Sequence, residues 1–367
     1  LSMIYGKSDL IPLWVADMDF AVSDAILDAL SERLEHPVFG YNFRLNDFSE
    51  AIVSWEQRRF NWNIHKDWII SVPGLVPALS LFVLAFTEPG EGVLIQTPVY
   101  RPFYDAVIDH NRKLITSALI NNNGVYSIDW DDFENKLKQA KLFILCSPHN
   151  PVGRVWTEEE LCKIGSLCAK YKVIVFSDEI HADIVYPGYK HIPFASLADF
   201  SNFCLTGVSP SKSFNIAGLA TAVVIISNSV IRDKFMVMNT KLHLYLGNSF
   251  GIKALIAAYN DSENWLEELL CYLNGNREYI SNFVQNELPG VLLSPIEGTF
   301  LAWLDFRNWG LPEPKLQEMI IKKAGLALEP GSEFGDKDEG FMRLNFGCPR
   351  SILELALSKI KLLAEDL

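Results

Sequence analysis

Three short apolar runs, each breaking off into a turn crowded with polar side chains, constrain this sequence more than any other feature. Leu142-Phe143-Ile144-Leu145-Cys146 leads into Ser147-Pro148-His149-Asn150-Pro151-Val152-Gly153, and Val173-Ile174-Val175-Phe176 ends at Ser177-Asp178-Glu179. Phe203-Cys204-Leu205-Thr206 runs into Gly207-Val208-Ser209-Pro210-Ser211-Lys212. Runs this short and apolar read as strands buried on both faces, as in a mainly parallel sheet covered by helices. Between the first two, Thr157 to Tyr171 predicts a helix, with Thr157 as N-cap ahead of Glu158, Glu159 and Glu160. Ala220 to Ile226 predicts a further strand. Ligands of open α/β sheets sit beyond the carboxyl ends of the strands, and that is where Asn150, Asp178 and Lys212 fall.

After about residue 255 the pattern changes to helix (Ser262 to Gln285), strands (Thr299 to Leu304 and Phe341 to Phe346) and a closing helix (Ser351 to Leu363). The expectation is a large α/β domain over residues 30–258 and a smaller α+β domain made of 1–29 and 259–367. With 367 residues, 49% of them hydrophobic, the chain can fill both cores. A net charge of −13 works against nucleic acid or an anionic membrane as partner, because both repel it at long range. Apolar stretches such as Leu79 to Phe86 fall far short of the ~20 residues that cross a bilayer. The opening Leu1-Ser2-Met3-Ile4-Tyr5-Gly6 lacks a secretory pattern and an initiating Met, so residues ahead of Leu1 are expected. Six cysteines without C-x-x-C spacing read as reduced core thiols and favour the cytoplasm. His149, His181 and His191 show no pairing that suits a metal.

Four polar residues have both an ordinary and a chemical reading. Lys212, in a hydroxyl-rich turn between apolar strands, is either a solvated surface amine or a desolvated nucleophile, with Ser209 and Ser211 beside it to hold a phosphate. Asp178 ends a strand so apolar that its carboxylate needs a cation; a helix cap or an arginine pair would serve, and so would a protonated pyridine nitrogen. Asn150 is a turn residue or a ligand-facing amide. Arg343, inside Phe341-Met342-Arg343-Leu344-Asn345-Phe346, makes a structural salt bridge or captures a carboxylate in bidentate fashion. Gly74, Leu75 and Val76, in Pro73-Gly74-Leu75-Val76-Pro77, open an apolar helix whose free N–H groups suit an anion.

Taken in order, these segments resemble the pyridoxal 5′-phosphate (PLP) dependent fold-type I enzymes, the aminotransferase class I/II superfamily, over essentially the whole chain. The resemblance implies a large PLP-binding domain with a mainly parallel seven-stranded sheet in three α/β/α layers, plus a smaller α+β domain. By it Asn150 bonds the cofactor's 3′ oxygen, Asp178 its ring nitrogen and Lys212 its aldehyde carbon, while Arg343 takes the substrate carboxylate with Ala16 and Asn150 alongside. Tyr100, in Thr97-Pro98-Val99-Tyr100, falls where the family stacks an aromatic on the ring. Tyr41, in Phe39-Gly40-Tyr41, falls where a tyrosine reaches the phosphate of a neighbouring subunit, which implies a homodimer. Either tyrosine would assist Lys212 by steering the incoming amine.

Within the superfamily the sequence looks like the MalY/PatB group of cystathionine β-lyases and cysteine C–S lyases. Three stretches carry that likeness: Pro12-Leu13-Trp14-Val15-Ala16-Asp17-Met18-Asp19-Phe20, Asp178-Glu179-Ile180-His181, and Ser211-Lys212-Ser213-Phe214-Asn215-Ile216-Ala217-Gly218-Leu219. His181 replaces the tyrosine that typical aminotransferases carry, and Ala220 replaces their phosphate-binding arginine. The group implies α,β-elimination on cystathionine or a related small amino acid, giving a thiol, pyruvate and ammonia. An aminotransferase with an altered phosphate cup, and a regulatory protein that binds PLP and a partner, are the other two readings.

Overall fold

The computed structural model describes residue 3, residues 6–335 and residues 337–365. Its main sheet has seven strands: β1 (Ile69–Val72), β2 (Gly92–Thr97), β3 (Lys113–Ala118), β4 (Leu142–Cys146), β5 (Ile174–Asp178), β6 (Cys204–Val208) and β7 (Ala222–Ile225). Their spatial order is β1-β7-β6-β5-β4-β2-β3. Only β7 runs against its neighbours; the other contacts along β6-β5-β4-β2-β3 are parallel. The expected sheet is therefore present.

Both faces are covered, which is why these strands read as unbroken apolar runs rather than alternating ones. Val93, Ile95, Leu142, Ile144, Phe176 and Leu205 face one core with the helix Leu75–Phe86. Their neighbours Leu94, Phe143, Leu145, Val175 and Cys204 face the other. The helix Glu158–Tyr171 starts at the capping box foreseen at Thr157, with Glu160 closing it. Strand ends differ by a residue or two from the expected ones. Asp178 and Val208 are still paired in the sheet, and β7 begins at Ala222 because Ala220 takes a left-handed turn (φ 44°).

Register brings the polar strand ends together. Cys146 stands opposite Asp178 on adjacent β4 and β5, and Asp178 stands opposite Gly207 on β6. Gly207 has to be glycine, because a Cβ there would lie 2.9 Å from the Phe176 ring and 3.1 Å from Leu75. Asn150, Asp178 and Lys212 thus leave three neighbouring strands at one edge of the sheet.

The second sheet is antiparallel, in the order Leu292–Leu293, Leu301–Asp305, Phe341–Asn345, Glu329–Pro330, with the helices Glu263–Glu287 and Arg350–Glu365 beside it in sequence. From the pair Ile11–Pro12 with Leu326–Ala327, residues 13–20 run as a strap toward the Lys212 turn. The Asn345 amide donates to the carbonyls of Val15 (2.6 Å) and Asp17 (2.5 Å), and the Asn215 amide to those of Met18 (2.7 Å) and Phe20 (2.9 Å). The expected divide between residues 29 and 30 falls inside one helix, Asp24–Glu35, capped by Ser23. A helix capped and propagated as a unit is a poor place for a domain boundary. Among the described residues no helix is long and apolar enough to cross a membrane.

Candidate active site

A cavity of about 380 Å³ lies at the strand ends, between the main sheet, the strap and the second sheet. Lys212, Asp178, Asn150, His181, Tyr100 and Arg343 all line it, as do Gly74, Leu75, Val76, Ser209, Ser211 and Ala16. Tyr41 does not; it is 88% exposed, on a stretch that also exposes Phe39, Phe43 and Leu45.

Lys212 sits in a four-residue helix, Pro210–Ser213, capped by Ser209. Its Nζ donates to the Ala16 carbonyl at 2.5 Å. Burial, seconded by the Arg343 guanidinium, pulls its pKa down to about 8. Asp178 is buried and accepts from the Ile180 N–H at 3.2 Å, yet it makes no ion pair with a cationic side chain among the described residues. Burial pushes its carboxyl up to about 7. His181 is driven down to about 3 by burial, then by Lys212 and Arg343, so its ring is neutral. Its Nδ1 has no hydrogen-bond partner among the described residues.

Arg343 extends from the second sheet. Nη1 donates to Asn150 Oδ1 at 3.2 Å and Nη2 to the Trp14 carbonyl at 2.6 Å, while the guanidinium lies 4.9 Å from the centre of the Phe334 ring. The carboxylate partner that the sequence left open is Glu329, at 4.0 Å, a long ion pair. Burial lifts the Glu329 carboxyl above its ordinary range. Arg343 thus meets a carbonyl, an amide, a carboxylate and a ring, and it lines the cavity.

At the other end, the helix Leu75–Phe86 points its N-terminus at the cavity, with Gly74 as N-cap. Leu75 and Val76 supply N–H groups there, but Pro77 has none to give. Ser209 Oγ donates to the Thr221 carbonyl at 2.9 Å and lies 2.6 Å from Ser211 Oγ. A hydroxyl has one proton, so Ser209 gives its own to Thr221 and receives that of Ser211, whose hydroxyl reaches an anion only by rotating away from Ser209. Ala217 and Ala220, which also line this end, are exposed.

The donor set fits PLP. Asp178 is a buried carboxylate that awaits a cation, as a protonated ring nitrogen would be. The unpartnered His181 Nδ1 and the Asn150 amide offer polar atoms for an oxygen on the ring, and a depressed lysine faces them across the cavity. Sequence reasoning missed Glu329 and Phe334, which line the cavity beside Arg343. Register alone places Glu329 opposite Arg343, on a strand of two residues that is too short to show a period.

Residues 8–360 match the model of aminotransferase class I and II, and the chain belongs to that family. It is 44% identical over 361 residues to cystathionine beta-lyase PatB of Bacillus subtilis, covering 98% of this chain and 93% of that one. It is 37% identical over 354 residues to protein MalY of Escherichia coli, covering 95% and 90%. The crystal structure of cystalysin from Treponema denticola, which contains a pyridoxal 5′-phosphate cofactor, superposes with a TM-score of 0.95 at 35% identity over 98% of this chain and 92% of that one.

Proposed function

We propose that this protein is a PLP-dependent C–S β-lyase that carries out α,β-elimination on L-cystathionine or related cysteine S-conjugates, releasing a thiol, pyruvate and ammonia. The observation that carries this reading is the facing of a lysine with a depressed pKa and a carboxylate-binding arginine across one cavity with a buried aspartate. The names of the relatives with matching sequence and fold point the same way.

Asp178 would hold the ring nitrogen, Asn150 and His181 the 3′ oxygen, Tyr100 a ring face, and Leu75, Val76 and Ser211 the phosphate. Bound PLP supplies an electron sink for the pair left at the substrate Cα. Arg343 then orients the substrate by its α-carboxylate, exchanging its bond to the Trp14 carbonyl for one to the ligand. Lys212 Nζ takes the Cα proton; a pKa of about 8 leaves enough neutral amine for this near pH 8. The Cβ–S bond breaks with its electrons on sulfur, and hydrolysis of the released enamine gives pyruvate and ammonia. Neutral His181 keeps a second positive charge away from Lys212 and Arg343.

The working unit is proposed to be a homodimer. The phosphate end opens to solvent at Ala217 and Ala220, and position 220 itself carries no cation in place of the family's arginine. Tyr41, exposed among apolar neighbours, suits covering that end in a second copy. The proposed domain division starts the large domain at the helix Asp24–Glu35 rather than inside it, with 259–367 and the N-terminal strap as the small domain. A cytoplasmic location accords with six unpaired cysteines.

The test is to supply PLP-loaded protein with L-cystathionine, L-cysteine and S-methyl-L-cysteine and follow pyruvate and free thiol. Pyruvate should form without any added 2-oxo acid. Product that appears only when a 2-oxo acid accepts the amino group would overturn the lyase reading.

A further inference from the structure

Behind the cavity wall lies a buried polar cluster that the proposed chemistry does not use. Asp183 Oδ2 accepts from Ser213 Oγ at 2.5 Å, and its Oδ1 accepts from the Trp55 indole N–H at 3.2 Å, with Arg59 Nε at 3.7 Å. Glu179 beside it accepts from Ser177 Oγ (2.8 Å) and the Phe194 N–H (3.0 Å) and pairs with His191 (2.8 Å). Glu56, fully buried nearby, is pushed well up by burial and by Asp183 and Glu179. Neither Asp183 nor Ser213 lines the cavity.

The location of the Ser213–Asp183 bond sets it apart from ordinary core satisfaction. Ser213 directly follows Lys212, and Asp183 lies five residues after Asp178 and two after His181. Strand pairing between β5 and β6 locks the two segments only as far as the Glu179 N–H on the Gly207 carbonyl. Lys212 stands five residues beyond that point. Past the strand ends, the side-chain bond from Ser213 to Asp183 clasps the lysine turn to the aspartate turn. A cofactor held at its aldehyde by one turn and at its ring nitrogen by the other requires their separation to be fixed within a few tenths of an ångström.

We propose that Asp183 is a positioning residue, acting through Ser213 to set where Lys212 stands relative to Asp178. Trp55 and Arg59, both from the helix Asn46–Phe60, hold the carboxylate in the orientation that Ser213 needs. The inference rests on the PLP reading above and adds residues that do not touch the ligand.

The test uses the PLP-loaded protein with Ser213→Ala, Ser213→Thr, Asp183→Asn and the double variant Ser213→Ala/Asp183→Asn. Ser213→Ala should raise the PLP Kd by roughly tenfold, the loss of one charge-assisted hydrogen bond. It should also move the pH midpoint of the bound cofactor's absorption band by about half a unit or more, and lower kcat for elimination with little change in KM. Ser213→Thr, which keeps the hydroxyl, should restore all three. The double variant should be no worse than the poorer single one, because both remove one bond. Should Asp183→Asn fail to fold, Ser213→Ala and Ser213→Thr decide alone. A Ser213→Ala protein with unchanged midpoint and PLP affinity but a lower Tm would overturn the inference, leaving the bond merely structural. A wild-type chain that takes up no PLP would overturn the functional reading itself, and this inference with it.

Discussion

Arg343 Nη1 meets Asn150 Oδ1 at 3.2 Å, a single bond that joins a strand of the small sheet to the loop leaving the middle of the large one. It orients both partners. With its oxygen turned to the guanidinium, the Asn150 amide must present its NH2 group elsewhere, and that group is the donor an anionic ring oxygen requires. Arg343 Nη2 in turn donates to the Trp14 carbonyl at 2.6 Å and lies 4.0 Å from Glu329.

Replacing Arg343 by lysine keeps the charge but loses the fork that matches a carboxylate. KM for the amino-acid substrate should rise by roughly tenfold to a hundredfold while kcat falls less, because binding rather than bond breaking loses its partner. Steady-state kinetics on S-methyl-L-cysteine measure this. Equal losses in kcat and kcat/KM would instead assign Arg343 to the transition state.

Lys212 should titrate far below an ordinary lysine. Its pKa of about 8 comes first from burial and second from Arg343. In the cofactor-free protein, acylation of Lys212 by a small reagent, followed by peptide mapping, should rise with pH through about 8 rather than through the usual ~10.4. Arg343→Ala should move that midpoint upward. Lys212→Ala should cut elimination by ~10³-fold or more, the share of a general base, and should abolish labelling of this peptide by borohydride in the PLP-loaded protein.

Much of this site is legible in the sequence because Asn150, Asp178 and Lys212 follow directly on buried strands, and a parallel sheet gathers such termini on one edge. Arg343 is legible for a related reason, as a charge inside an apolar run. Glu329 and Phe334 are not: one lies on a two-residue strand, where only the register with Arg343 reveals it, and the other ends a turn, where only its ring beside the guanidinium does. Ala220 looks like the first residue of a strand because it precedes a run of β-branched residues. Its left-handed backbone, which alanine rarely adopts, leaves no trace in that pattern. The divide expected between residues 29 and 30 lies inside the helix Asp24–Glu35, whose span no change of composition marks.

Asp178 makes the cofactor-free protein sensitive to pH in an unusual direction. Burial raises its folded-state pKa to about 7, above the ~3.9 of an unfolded chain. Below both values the group is protonated in either state and contributes nothing. As pH rises from about 4 to about 7 the unfolded chain ionises first, so this contribution to stability falls across that window and then levels off. Asp178→Asn cannot ionise. The Tm difference between Asp178→Asn and wild type should therefore grow in favour of the variant from pH 4 to pH 7, as differential scanning calorimetry would record. Adding PLP should erase the variant's advantage, since a ring nitrogen gives the wild-type carboxylate its cation.

Ala220 offers a way to learn what neutralises the phosphate. The described chain presents two helix N–H groups and the Ser211 hydroxyl, whose proton is held by Ser209, at that end, a small complement for a dianion. Position 220 already carries a Cβ at φ 44°, so extending the side chain adds little backbone strain. Ala220→Arg should therefore place a guanidinium beside the phosphate and lower the PLP Kd by roughly tenfold, in line with one added charge-assisted hydrogen bond. Fluorescence titration of the cofactor-free variant reads this directly. An unchanged Kd together with a steep dilution dependence of PLP binding in the wild type would point to a second copy of the chain as the source of the remaining phosphate donors.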